Sequence, residues 1–333
     1  MKISASIYSD KKRALQDSIA DLVDHQVDLL HVDCNDDVSV FDDIQNIRKV
    51  CSLPIDLHII TSNPSKYWDL LRANPVEYVT FQYEDLAEPF EFPSDILGQK
   101  GLAIITPTSI DVFDAYANLD FILIMATIPG RSGGVFDPVN FKKIRAFRKK
   151  FPSKPIHVDG GVNGEVSFIL RNMGVYASVS GSFLFNAPSV GKALMDLTKR
   201  EIDSTFKLKD FMLPQEECPI IDWEELTLKN VLQNIEDGKL GFTIVRKHNR
   251  IAGIISNADI RRALLKNMDN IANLNVLELI NNNPVLINEN KDVNQLLQLV
   301  RDVTIPVMYL PVVNDDNEPT GIISFLNLIK GEN

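Results

Sequence analysis

Eight short apolar runs recur at fairly even spacing through the first 185 residues, and this pattern constrains the fold more than any other feature of the chain. They are ISASI (3–7), VDLLHVD (27–33), PIDLHII (54–60), VEYVTFQ (76–82), GLAIIT (101–106), FILIMAT (121–127), PIHVDGG (155–161) and ASVSGS (177–182). Each is bounded by Gly, Pro or polar residues and is rich in Ile and Val, as parallel strands buried on both faces are. Helical spacing fills intervals at 11–25, 41–50, 65–74, 141–150 and 165–173. Strands alternating with helices predict an α/β fold, either a closed (β/α)8 TIM barrel or an open doubly wound sheet. Polar residues at the strand C-terminal ends favour the barrel. His31, Asp33, His58, Thr80, Gln82, Thr106, Asp159, Ser180 and Ser182 all stand there, and a barrel gathers eight strand ends round one mouth.

His31 and Asp33 are two apart on one strand, so their side chains share a face. His58 ends the next strand and Asp159 a much later one. Two imidazoles and two carboxylates converging at a mouth make a competent site for a divalent cation such as Zn, Fe, Mn or Co. Two carboxylates facing each other across a sugar also suit removal of a proton from one face and its return to the other. His25, His157 and His248 fit the pattern poorly; His157 shares the face of Asp159 but lies deeper in its strand. Gly-rich stretches follow three late strands: 129–134 with Gly130 and Gly133, then Gly160-Gly161, then Gly181-Ser182. Glycine lets backbone N–H groups approach an anion, and late barrel loops commonly hold phosphate.

Composition narrows the partners. A net charge of -11 argues against nucleic acid, whose phosphates need clustered Lys and Arg. Cys34, Cys51 and Cys218 are too scattered for a disulfide framework. No run has the length of a signal peptide or a membrane span, so a cytoplasmic, membrane-free protein is expected.

These residues resemble the ribulose-phosphate 3-epimerase family over about 2–190. The matching stretches are Ser4-Ala5-Ser6, His31-Val32-Asp33, Asp56-Leu57-His58, Thr80-Phe81-Gln82-Tyr83-Glu84, Gly101-Leu102-Ala103 with Pro107-Thr108, Ile124-Met125 with Pro129-Gly130, Val158-Asp159-Gly160-Gly161, and Ser180-Gly181-Ser182. The resemblance implies a metal-dependent epimerase acting at C3 of a ketose phosphate such as D-ribulose 5-phosphate. It places the metal ligands on His31, Asp33, His58 and Asp159, and the acid/base pair on Asp33 and Asp159. It assigns substrate contacts to Ser6, His58, Met125, Gly130, Gly133, Gly160, Gly161, Gly181 and Ser182. The chain departs from the family at Asn35, where a methionine is usual, and at Gln82, where a histidine is usual. The loop after the second strand is shorter than in the family, and Arg131-Ser132 replaces Phe-Gly. These departures put the identity of the sugar in question.

Beyond residue 200 the pattern changes. Residues 201–219 read as a connector, and 220–331 as two copies of one unit. One copy runs CPIIDWEELTLKNVLQNI, GFTIV, IAGIISNADI; the other runs NPVLINENKDVNQLLQLV, YLPVV, PTGIISFLNLI. The repeat resembles a tandem CBS pair, a small α+β module. The resemblance implies an adenine nucleotide held by Ser256 and Asp259 in the first copy, with Asn327 replacing the aspartate of the second. A homo-oligomer is expected. Two functions stand: an epimerase regulated through the CBS pair, or a catalytically retired sugar-phosphate and nucleotide sensor.

Overall fold

A computed structural model of the protein describes residues 1–127, 133–199, 205–268, 274–303 and 307–325. The chain divides into two compact units near residue 202. In the first, eight parallel strands close into a barrel in sequence order: β1 Lys2–Ser6, β2 Leu29–Asn35, β3 Ile55–Ile60, β4 Tyr78–Gln82, β5 Gln99–Ile105, β6 Phe121–Met125, β7 Ile156–Asp159 and β8 Ala177–Ser180. The helices packed outside are α1 Leu15–Asp24, α2 Val40–Val50, α3 Trp68–Ala73, α4 Val139–Lys150, α5 Gly164–Asn172, α6 Ser182–Asn186 and α7 Val190–Thr198. No α-helix follows β4 or β5; 3-10 turns at Tyr83–Asp85 and Ile110–Tyr116 take that place. Amphipathic spacing seats each helix. α2, for example, buries Val40, Phe41, Ile44 and Ile47 and turns Arg48 and Lys49 outward.

Strand register decides what lines the barrel. His31 pairs with Asp56 and Asp33 with His58, which pairs in turn with Thr80. Met125 pairs with Asp159, and His157 with Ala177. The lower layer is Leu29, Tyr78, Phe121 and Ala177, closed by His157 stacked on Phe121 with ring centroids 4.2 Å apart. The polar layer, His31, Asp56, His58, Thr80 and Gln82, lies above it on the β2–β4 side and is at most 1% exposed. Ala103, Leu123 and Met125 form an apolar wall opposite.

The second unit carries the repeat. Its first copy is β10 Ile220–Asp222, α9 Leu228–Gly238, β11 Phe242–Lys247, β12 Arg250–Ser256 and α10 Asn257–Lys266. Its second is β13 Ile287–Asn288, α11 Val293–Asp302, β14 Tyr309–Val313 and β15 Pro319–Ser324; the expected closing helix, with Asn327, lies outside the described residues. The stretch read as a connector is only partly one. It holds α8 Leu208–Phe211 and β9 Leu213–Pro214, and β9 adds to the edge of β15. Asn281, ahead of the second copy, bridges Ile254 of the first in the same way. Each copy thus lends a segment to the other's sheet. The crossings explain two glycines. A Cβ on Gly253 would lie 2.5 Å from Asn281 O, and one on Gly321 2.4 Å from Leu213 O.

Candidate active site and metal centre

The mouth of the barrel brings together the four residues that sequence spacing singles out. One ligand-type atom from each of His31, Asp33, His58 and Asp159 lies within 4.8 Å of the others. His31 Nε2 is 3.3 Å from Asp33 Oδ1 and 3.8 Å from Asp159 Oδ2, and His58 Nδ1 is 3.6 Å from Asp33 Oδ1. Both rings are fully buried, whereas the carboxylates keep 19% and 18% side-chain exposure toward the open end. The polar groups therefore face the space a substrate enters.

Each imidazole is held from behind. His31 Nδ1 donates to Asp56 Oδ2 at 2.9 Å, and Ser4 Oγ donates to the same oxygen at 2.9 Å. His58 Nε2 donates to Gln82 Oε1 at 2.9 Å. Hydrogen bonds of this kind set which ring nitrogen faces a metal. Neither Asp56 nor Gln82 stands out as a ligand in the sequence. Strand alternation was the available signal, since Asp56 is two residues before His58 and Gln82 two after Thr80.

The electrostatics suit a cation. Burial alone would depress His31, but Asp33 and Asp56 outweigh it and hold its proton affinity well above the usual imidazole value. For Asp33, burial is outweighed by the charge and hydrogen bonds of His31 and His58, which keep it far below the ordinary carboxylate range. Asp159 goes the other way. Burial, joined by the charge of Asp33 and against the pull of His31, raises it to about 6. A surplus of negative charge that favours a proton on His31 also favours a divalent ion, and His58 Nδ1, buried without a hydrogen-bond partner, is the orphan atom such an ion would satisfy. The donor set of two nitrogens and two carboxylates fits a borderline first-row cation.

The remaining expected contacts divide. Ser6 Oγ stands 3.5 Å from Asp33 Oδ2 and 3.1 Å from Ser9 Oγ, at the edge of the cluster. Met125 is buried in the apolar wall with 1% exposure. Gly160 and Gly161 continue directly from Asp159 with φ of 108° and 67°. At Gly161 a Cβ would lie 2.1 Å from the backbone nitrogen of Phe136, so the β7 turn admits only glycine there. Gly181 packs against Ser9 and Ser6, joining the ends of β8 and β1, and Ser182 opens α6. Gly133 has φ 88° with open space around its Cα. Gly130 and Arg131 lie outside the described residues. Ser180, expected at the mouth, turns away and donates to Val162 O at 3.2 Å. Register explains this, because its neighbour Val179 shares the phase of Asp159. His157 sits deep in the barrel, as its position implies, and burial lowers it to about 4.

In the second unit, Ser256 and Asp259 form a reciprocal cap on α10. Asp259 N donates to Ser256 Oγ at 3.3 Å, and Ser256 N donates to Asp259 Oδ2 at 2.8 Å. Arg262 donates to the other carboxylate oxygen. Both residues thus cap the helix in this structure. No helix among the described residues is long and apolar enough to cross a membrane.

Comparison with known proteins agrees with the barrel. Ribulose-phosphate 3-epimerase of Methanocaldococcus jannaschii is 29% identical over 230 residues, covering 64% of this chain and 95% of that protein. The cytoplasmic isoform from Oryza sativa subsp. japonica is 29% identical over 164 residues, 47% of this chain and 72% of that one. The solved structure of CBSX2 in complex with AMP is 19% identical, covering 38% of this chain and 96% of that chain, at a TM-score of 0.32. A CBS domain profile matches residues 276–331, the second copy of the repeat. The profile of the Ribulose-phosphate 3 epimerase family matches residues 2–185, the whole barrel, and the chain belongs to that family of enzymes.

Proposed function

We propose that the barrel epimerises C3 of a ketose phosphate such as D-ribulose 5-phosphate, with His31, Asp33, His58 and Asp159 holding a divalent cation. The observation that carries this reading is the pair of carboxylates at the mouth, brought together round two locked imidazoles and left partly open to the space a substrate enters. Two carboxylates set on opposite sides of a bound sugar can act as base and acid in turn. Asp33, ionised, takes the C3 proton from one face of the sugar. Asp159, whose proton affinity burial raises, delivers one to the opposite face. In the reverse direction the roles exchange. A bound divalent ion would supply Lewis-acid polarisation of the substrate oxygens. Ser6 contacts the substrate beside Asp33. The turns at Gly160-Gly161 and Gly181-Ser182, with Gly133, present backbone N–H groups to its phosphate, and Met125 and His58 flank the sugar.

The test is deuterium exchange. Wild-type protein in D2O should exchange C3 of a ketopentose or ketohexose phosphate, and Asp33→Asn and Asp159→Asn should each abolish net epimerisation. Failure of every phosphorylated ketose to exchange would leave the barrel a sensor rather than a catalyst. The CBS unit binds an adenine nucleotide at Ser256 and Asp259 and regulates the barrel in this reading. Its support is the CBS match at 276–331 and the retained Gly253-Ile254-Ile255-Ser256-Asn257-Ala258-Asp259 stretch.

A further inference from the structure

Gln82 stands at the end of β4 where the family carries histidine, and its surroundings give it a definite task. Its side chain is fully buried. Oε1 accepts from His58 Nε2 at 2.9 Å. Nε2 donates to the carboxylate of Glu84 and, at 3.4 Å, to Ala103 O. The amide cannot turn over without setting its oxygen against two other oxygens, so its acceptor must face His58. Glu84 is itself anchored. Its Oε1 accepts from Ile105 N at 3.1 Å and from Thr108 Oγ1. Lys143 Nζ ties the same loop by donating to Ile105 O and Thr108 O, each at 2.6 Å.

His58 has two places for its proton. On Nε2 the proton meets Gln82. On Nδ1 it would meet Asp33 Oδ1, now 3.6 Å away. Only the first leaves a lone pair on Nδ1, the atom that joins the cluster with His31, Asp33 and Asp159. A carboxylate attracts a proton more strongly than an amide in the same geometry, so the ligand-competent tautomer depends on something that fixes the ring. We infer that Gln82, oriented by Glu84, is the positioning residue that keeps His58 in its Nε2–H tautomer and so makes its Nδ1 a metal ligand. The inference rests on the metal-centre reading above and adds to it which residues hold the ligand in its binding form and through which loop.

The experiment has two arms. In the first, 15N NMR of the metal-free full chain reports the tautomer of His58. Wild type should show Nε2–H, and Gln82→Leu should move the population toward Nδ1–H. In the second, Co2+ affinity is measured by chelator competition and by the visible absorption of the bound ion. Gln82→Leu should weaken it by about 10- to 100-fold, the usual effect of removing a partner of a ligating histidine. Glu84→Gln alone sets donor against donor and should shift the tautomer in the same direction. The double variant Q82E/E84Q reverses the donor between the two side chains and restores an acceptor for His58, losing only the 3.4 Å contact to Ala103 O, and should recover the Nε2–H form at least in part. That rescue separates orientation from simple loss of packing, and it carries the test if Gln82→Leu does not fold. Nε2–H retained in Gln82→Leu with wild-type Co2+ affinity, or no recovery in the double variant, overturns the inference. Wild-type protein that binds no divalent ion overturns the metal centre instead, and the tautomer arm still judges Gln82.

Discussion

Gly253 opens the stretch that resembles a nucleotide motif, yet its surroundings give it a purely structural reason to be glycine. Gly253→Ala is the perturbation that tests this. The added Cβ would lie 2.5 Å from Asn281 O and 2.5 Å from Ile280 Cγ2. Ordinary contact begins at 3.4 Å, so the crossing segment must retreat by about 0.9 Å, the difference between the two. That segment is held by Ile254 N donating to Asn281 O at 3.1 Å and by Asn281 N donating to Ile254 O at 2.8 Å. Stretching both beyond hydrogen-bonding range costs about 0.5–1.5 kcal/mol each. The lower chain entropy of alanine in the unfolded state returns about 0.4–1 kcal/mol. The net loss expected is about 1–2 kcal/mol. Gly321→Ala should cost a similar amount, because its Cβ would lie 2.4 Å from Leu213 O in the related crossing. Urea unfolding of the full chain followed by circular dichroism should show the transition of the second unit at lower denaturant with an unchanged slope. Wild-type stability in both variants would show that the crossings do not constrain these positions.

Three further outcomes follow from the same structure. Asp10 is held at about 2, because hydrogen bonds from Lys12 N, Ser18 Oγ and Arg13 overcome the effect of burial. A carboxylate depressed below its unfolded value of about 4 stabilises the fold above that pH and loses the contribution as pH falls through about 2, so Asp10→Asn should flatten this part of the stability profile by about 1–2 kcal/mol, the exposed Arg13 contact being screened. Because Asp33 and Asp56 favour a proton on His31 and ligands bind metal deprotonated, metal binding at pH 7 should release protons, visible in calorimetry across buffers of different ionisation enthalpy, and affinity should rise with pH; a buffer-independent heat would contradict this. An adenine nucleotide at 100 times its dissociation constant should stabilise the protein by about 2.7 kcal/mol, and Asp259→Ala should remove most of that gain, whereas an unchanged thermal shift would place the nucleotide elsewhere.

The periodicity of the first 185 residues determined an α/β fold with a parallel sheet, and the polar strand ends favoured its closure into a barrel. Runs of Ile and Val too short for helices can bury both faces only in a parallel sheet, and polar strand ends distinguish a closed sheet from an open one. The four residues of the candidate metal centre were legible in the sequence, since alternation along a strand puts His31 and Asp33 on one face and the topology gathers the rest. The boundary of the second unit was less legible. Leu213–Pro214 reads as connector because two residues carry no period; only pairing with β15 makes them a strand. Ser180 was placed at the mouth from its position along the chain, but the facing of β8 follows from its register with β1 and β7, which no single strand reports. Asp56 and Gln82 are the clearest cases of what tertiary structure alone decided. Their sequence positions allow an inward side chain, but which ring nitrogen each one meets depends on distances across neighbouring strands, and those distances determine which nitrogen of each histidine faces the mouth.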